Sequence, residues 1–123
     1  MSVTVIIPTT GAPELRKAVE SVLQQNCGGG VTCYVVVDGS ENWEKTYDAL
    51  EPYLDIDRLK IAQLPINVGA NGFYGHRIYA AFTHLVNSKY VLYLDQDNWL
   101  EPNHIKSCVQ TIEKNNLDWC YSL

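Results

Sequence analysis

The sequence lacks the features that mark membrane-spanning, nucleic-acid-binding and exported proteins. No apolar run approaches the roughly 18 residues of a membrane span, so we predict no span in this chain. Basic residues are scarce: 9 Lys+Arg stand against 14 Asp+Glu, for a formal net charge of −5, whereas broad binding to nucleic acid or anionic lipid needs basic patches. The N-terminus has neither a basic segment nor a small-residue cleavage site. We therefore predict no signal peptide and expect a cytoplasmic location.

Cysteines at metal-binding spacing are also missing. Cys27, Cys33, Cys108 and Cys120 form no C-x-x-C pair, and no histidine lies at zinc-finger spacing from them. This arrangement argues against a structural zinc site. Without an export signal, the four side chains are expected to remain reduced thiols.

Short apolar runs alternate with amphipathic segments along the whole chain. Nearly continuous apolar strands are typical of a parallel sheet that helices cover on both faces. Apolar residues spaced i, i+3, i+4 and i+7 between the runs predict those helices. We expect one α/β domain over residues 1–123, a three-layer α/β/α sandwich with a mostly parallel sheet and Rossmann-like alternation. Its predicted strands cover residues 3–7, 31–37, 59–64, 90–94 and 118–123.

Two aspartates follow the fourth predicted strand, at the edge of the sheet where such proteins bind ligands. Asp95 and Asp97 are spaced i, i+2, so their carboxylates can meet at one Mg²⁺ or Mn²⁺ ion. These ions prefer a few carboxylates together with water and phosphate oxygens. Aspartate is equally common in turns that bind nothing, and the spacing alone leaves both interpretations open.

Two other strand ends carry candidate binding residues with similar alternatives. Asp38 follows the second strand, where it could accept hydrogen bonds from a nucleobase or ribose or could stabilise a turn. The Gly/Asn-rich loop 67–75 would let the backbone approach a ligand. Arg77 begins the next predicted helix, where its cation could face a phosphate or lie in solvent.

Five segments resemble, in order and spacing, the nucleotide-binding half of a family 2 glycosyltransferase with the GT-A fold. They cover about residues 3–115 and read VTVIIPT, LRKAVESVLQQ, YVVVDGS, NVGANGFYGHR and YVLYLDQDNWLEPNHI. The resemblance implies an enzyme that binds a nucleoside diphosphate sugar, with a UDP-sugar favoured, and transfers the sugar to an unknown acceptor. It also implies a single displacement that inverts the anomeric carbon.

The resemblance implies roles for particular residues of this chain. Asp95 and Asp97 would bind Mg²⁺ or Mn²⁺ together with the donor diphosphate. Thr9 and Asp38 would line the nucleoside pocket, and Arg77 would lie near the base or the diphosphate. The nucleotide-sugar-binding residues that we predict are Pro8, Thr9, Asp38, Asn67, Gly69, Arg77 and Asp95.

The sequence departs from the family pattern at three points. Asp38 alone precedes Gly-Ser where the family often has two acids, and His76-Arg77-Ile78 stands where the family often has Ala-Arg-Asn. Family domains also usually continue into an acceptor-binding part that supplies the general base. We therefore expect a truncated domain, a base beyond Leu123 and no efficient sugar transfer by this chain.

Two alternatives belong to other functional classes. Asp95 follows Gly75 at about the distance of the ribose-binding acid in an NAD-dependent oxidoreductase, but the loop reads G-x-x-G-x-x-G rather than G-x-G-x-x-G. A non-catalytic module is the second alternative. A receiver domain would need acids where the first strand ends in Pro8-Thr9, which leaves a nucleotide-sugar-binding fragment.

The last predicted strand suggests self-association. A strand over residues 118–123 would expose unpaired backbone groups at the sheet edge, and such edges invite pairing with another chain. We therefore expect a homodimer, since the symmetric dimer is the commonest oligomer.

Overall fold

Four β-strands form one fully parallel sheet in the computed structural model, which describes residues 2–122. The strands are β1 (Val3–Thr9), β2 (Val31–Asp38), β3 (Leu59–Leu64) and β4 (Tyr90–Tyr93), and their order in the sheet is β3-β2-β1-β4. The helices are α1 (Leu15–Leu23), α2 (Trp43–Leu50), α3 (His76–Thr83) and α4 (His104–Asn115), with 3₁₀ turns at Ser40–Asn42 and Glu51–Tyr53.

β1, one of the two inner strands, is buried along its whole length. It pairs with β2 on one edge and β4 on the other, and helices cover both of its faces. Val3, Val5 and Ile7 point to the larger core, which α1, α2 and α4 complete. The main buried helix residues on this side are Leu15, Ala18, Val19, Val22, Leu50, Ile105 and Val109.

The opposite face of the sheet packs against α3. Ile6 and Val36 contact Ile78 and Phe82 in a second, smaller core. The ring of Tyr34 meets that of Phe82 edge to face, with 5.4 Å between the ring centroids. Helices therefore lie on both faces of a parallel sheet, which confirms the predicted three-layer fold class.

The predicted fifth strand is wrong for residues 118–122. After α4, Asn116 adopts a left-handed conformation with φ of 53°, and the Leu117 N–H donates to Ile112 O. The chain turns back beside α4, where the Cys120 thiol lies 3.6 Å from Cys108 O. Residues 118–122 form no backbone ladder with β4 and no strand, while Leu123 lies outside the described residues.

Ile78, Ala81, Phe82, Leu85 and Val86 recur at helical spacing and predict one apolar face, but α3 ends before this stripe does. Ile78 and Phe82 are buried as expected, but Leu85 lies past the last helical residue and is 62% exposed. The helix ends at Thr83 because the chain tightens there: His84 N–H donates to Ala81 O and Leu85 N–H to Phe82 O.

All four cysteines are free thiols, as predicted. Cys33 is fully buried in the larger core, and burial raises its thiol pKa to about 12. Burial raises the pKa of Cys108 to about 11, and the neighbouring Cys120 raises it too.

No helix within residues 2–122 has the length and apolar character needed to cross a membrane. The cytoplasmic location stays a prediction.

Replacing Ile78 with Ala should lower the free energy of unfolding by about 2–5 kcal/mol, because it leaves a cavity between α3 and the sheet. Leu85→Ala is the matched control: that side chain is mostly exposed, so its loss should change the value by less than about 0.5 kcal/mol. Urea unfolding followed by circular dichroism measures both. Equal losses in the two variants would contradict the packing described for α3.

Candidate functional site

A cavity of about 660 Å³ lies at the carboxyl ends of the four strands. The parallel register brings these ends together. Thr9 pairs with Val37, the residue before Asp38, and the Leu94 N–H donates to Ile6 O (3.1 Å) just before Asp95. Residues that are far apart in the chain therefore share one pocket, at the sheet edge where open α/β folds bind ligands.

The Asp38 carboxylate forms the floor of this cavity. It is only 3% exposed, and it accepts two backbone hydrogen bonds. The Val68 N–H donates to Oδ1 (2.7 Å) and the Gly69 N–H donates to Oδ2 (2.8 Å). A buried charge is tolerated only when such partners satisfy it. Asp38 therefore holds the start of the 67–75 loop against the end of β2.

Gly69 is required by the close approach within that loop. A Cβ atom at this position would overlap the backbone oxygen of Tyr74 and would lie 2.8 Å from Oδ2 of Asp38. The Gly69 N–H is also 3.1 Å from Oδ1 of Asn67, and Gly69 O accepts the Tyr74 N–H (3.0 Å). The loop folds tightly around this residue and presents Asn67, Gly69 and Tyr74 to the cavity.

Gln96 connects the end of β4 to the end of β1. Its Oε1 accepts the Thr9 hydroxyl (2.7 Å) and the Thr10 N–H (3.0 Å). Its Nε2 is 3.2 Å from the Thr10 hydroxyl, and the Gly11 N–H donates to Thr9 Oγ1 (2.9 Å). This network fixes the β1 end relative to the two aspartates that flank Gln96.

Asp95 and Asp97 are exposed carboxylates that line the cavity. Oδ1 of Asp95 accepts a hydrogen bond from the Tyr79 hydroxyl (2.6 Å). Burial raises the pKa of Tyr79, as do this hydrogen bond and the negative charges of the two aspartates. A tyrosine hydroxyl is protonated at neutral pH in any case, so it acts as the donor to Asp95.

The two carboxylates suit a cation that arrives with further ligands. Within residues 2–122, no group of three or more His, Cys, Asp or Glu side chains is arranged to hold a metal by itself. Mg²⁺ and Mn²⁺ bind to one or two carboxylates and take their other ligands from water and phosphate oxygens. Asp95 and Asp97 supply the hard oxygen donors that such an ion needs.

The structure brings most of the predicted site residues together. Those that line the cavity are Pro8, Thr9, Asp38, Asn67, Gly69, Asp95 and Asp97. Arg77 does not line it. Its Nη1 donates to Val68 O (3.3 Å) and its guanidinium lies over the Phe73 ring, 3.5 Å from the centroid, so it supports the loop from outside. The roles implied for these residues stay predictions.

Other lining residues were not predicted from the sequence. They include Glu14, Tyr74, His76, Tyr79 and Gln96. Gln96 had one available signal, its place between the two aspartates. Tyr79 is adjacent to Ile78 and lies one position off the buried stripe of α3. The spacing of apolar residues predicts which side chains are buried, but not which neighbour faces a cavity.

The sequence matches the family model described as glycosyl transferase family 2 over residues 4–122. No protein of curated function matches it.

Solved structures with the same fold include two of S. aureus TarS. TarS 1-349 is 21% identical, with a TM-score of 0.78 over 94% of this chain and 33% of that chain. TarS 1-349 in complex with UDP-GlcNAc is 22% identical, with a TM-score of 0.77 over 94% and 32%.

A more distant likeness is to the mannosyltransferase PcManGT from Pyrobaculum calidifontis, solved with GDP-Man and Mn²⁺. It is 20% identical, with a TM-score of 0.69 over 89% of this chain and 32% of that chain. The chain thus spans about a third of the length of each of these solved chains.

Replacing Asp38 with Asn should lower the free energy of unfolding by about 1–3 kcal/mol, because an amide NH₂ would face one of the two backbone donors and leave it unsatisfied. Asp48→Asn removes an exposed carboxylate of α2 and should change the value by less than about 0.5 kcal/mol. Urea unfolding measures both. A loss no larger than that of the control would mean that Asp38 does not hold the loop.

Proposed function

Since the chain belongs to glycosyl transferase family 2, we propose that it forms the nucleotide-sugar-binding part of a glycosyltransferase. The observation that carries the proposal is the meeting of Thr9, Asp38, Asp95 and Asp97 in one cavity at the carboxyl ends of the strands. Family membership also gives no support to the NAD-dependent oxidoreductase as an alternative.

The donor that we propose is a UDP-sugar. Structures of the same fold support a nucleoside diphosphate sugar as the class: TarS was solved with UDP-GlcNAc and with UDP, and PcManGT with GDP-Man. In this chain, Asp38 would contact the nucleoside. Each of its oxygens already accepts one backbone hydrogen bond, and a carboxylate oxygen can accept a second.

We propose that Asp95 and Asp97 hold Mg²⁺ or Mn²⁺ together with the donor diphosphate. When bound, the ion would neutralise the charge that develops on the departing nucleoside diphosphate. Asp97 has no side-chain hydrogen bond among the described residues, and Asp95 has one, from Tyr79. Both carboxylates therefore keep oxygen lone pairs for an ion.

The reaction that we propose is a single displacement at the anomeric carbon, with inversion and with an unknown acceptor. The cavity residues of this chain would bind and orient the donor and stabilise its leaving group. A general base would deprotonate the acceptor hydroxyl. The expectation that this base lies beyond Leu123 stays a prediction, as does the alternative of a fragment that binds the donor without transferring it.

We also propose that the chain forms a homodimer. β4 pairs with β1 on one side only within residues 2–122, and an unpaired strand edge favours association. Trp119 and Tyr121 are about 70% exposed near this edge.

Sedimentation equilibrium should find a dimer at micromolar concentration; a monomer across the whole concentration range would contradict the proposal.

UDP should bind more tightly in the presence of Mn²⁺, and Asp97→Asn should remove most of that gain. Mutation of a residue that only supports a metal ligand typically lowers metal affinity by roughly tenfold to hundredfold. Loss of the charged ligand itself should lower metal affinity by at least as much. Isothermal titration calorimetry of UDP, with and without Mn²⁺, measures both affinities.

Asp57→Asn is the control for that experiment, because Asp57 is exposed and lies outside the cavity. It should bind UDP as the wild type does. Equal, metal-independent affinity in the wild type and in Asp97→Asn would show that the two aspartates are not a metal site.

A further inference from the structure

The Tyr79 hydroxyl is hydrogen-bonded to one of the two carboxylate oxygens of Asp95. It donates to Oδ1 at 2.6 Å, whereas Oδ2 has no hydrogen-bond partner among the described residues. A tyrosine hydroxyl is protonated at neutral pH, so it is the donor in this contact. Asp95 therefore presents its two oxygens unequally.

Packing against the smaller core and hydrogen bonds of its backbone position Tyr79. Its ring lies against that of Tyr93, with centroids 4.9 Å apart. Its backbone N–H donates to Gly75 O (3.0 Å), and its carbonyl accepts the Thr83 hydroxyl (2.6 Å). The Thr83 hydroxyl is also 2.7 Å from the Tyr93 hydroxyl. The position of the Tyr79 hydroxyl is thus set before any ligand binds.

Gly75 allows α3 to come close enough for this contact. A Cβ at position 75 would lie 2.9 Å from Cγ of Pro8 and 3.4 Å from Cε2 of Tyr79. The absence of a side chain there lets the first turn of α3 rest on the end of β1. Tyr79, one turn later, then reaches across to the end of β4.

The number of oxygens that a carboxylate can offer matters differently to different cations. Ca²⁺ takes six to eight oxygen ligands and often binds both oxygens of one carboxylate. Mg²⁺ requires near-octahedral coordination with fewer, closer ligands and usually takes one oxygen from each carboxylate. A hydrogen bond takes one lone pair of an oxygen and draws charge from it, so that oxygen becomes the weaker ligand and coordination through both oxygens is disfavoured. Such a carboxylate suits the smaller ion.

We propose that Tyr79 is a positioning residue that makes Oδ1 of Asp95 a weaker ligand than Oδ2 and so makes the site favour Mg²⁺ or Mn²⁺ over Ca²⁺. This inference rests on the proposed nucleotide-sugar site and deepens it, because it assigns ion selectivity to a residue that need not touch the ion.

The test compares the affinity for UDP in saturating Mn²⁺ with that in saturating Ca²⁺, measured by calorimetry on the wild type and on Tyr79→Phe. The preference for Mn²⁺ should fall about threefold to tenfold in Tyr79→Phe, the size expected for one hydrogen bond. Tyr93→Phe is the matched control: it removes the hydroxyl of the packed partner ring, which contacts Thr83 and not Asp95.

A purely structural role would weaken binding in both ions equally and leave their ratio unchanged, so an unchanged ratio in Tyr79→Phe overturns the proposal. A ratio that falls equally in Tyr93→Phe also overturns it. Thermal melts identify any variant that is not folded; for that case Tyr79→Leu supplies a second variant without the hydroxyl.

Failure of the underlying function gives a different result. Wild-type protein that binds UDP with no dependence on any cation refutes the metal site and this inference together. Wild-type protein that depends on the cation, with a ratio that Tyr79→Phe leaves intact, refutes this inference alone.

Discussion

The parallel pairing of β1 with two neighbours is the constraint on which the site depends. Because β2 and β4 both run parallel to β1, all of their carboxyl ends lie at one edge of the sheet. The side chains that follow them, from Thr9, Asp38 and Asp95 onward, must then share the same space. β1 can take this inner position because it is apolar on both faces, so that helices can pack on each side. The core and the cavity therefore both depend on the parallel pairing of β1.

The loop between β3 and α3 depends in turn on one buried carboxylate. Asp38 accepts hydrogen bonds from the N–H groups of Val68 and Gly69. The absence of a side chain at Gly69 provides the space for this contact. Removing either feature would disturb the other, because the backbone can approach the carboxylate only where no Cβ intervenes. Arg77 acts from the outer side, where it contacts Val68 O and the Phe73 ring.

The sequence predicted the fold well where the burial of an element follows from its own apolar pattern. It predicted poorly the features that depend on contacts between distant residues. The alternation of strands and helices could be predicted because β1 and β2 are nearly continuous apolar runs and α1 keeps one apolar stripe. The segment 118–122 has the aromatic content of a strand, but a strand also needs a backbone partner, and composition carries no information about that. Tyr79 could not be predicted for a similar reason. Its contact with Asp95 depends on the close approach of Gly75 to Pro8 and on the distance between α3 and the end of β4.

Three aspartates with the same chemistry receive different environments from the fold. Asp38 is buried and accepts two backbone hydrogen bonds, Asp95 accepts one from Tyr79, and Asp97 accepts none among the described residues. A carboxylate whose charge is already stabilised by donors gains less from a cation than one that lacks them. This order agrees with the proposal that a cation binds at the end of β4 and that Asp38 accepts hydrogen bonds from a nucleoside. The three side chains are chemically identical. Their difference follows from the hydrogen-bond donors that the backbone and α3 bring to each carboxylate.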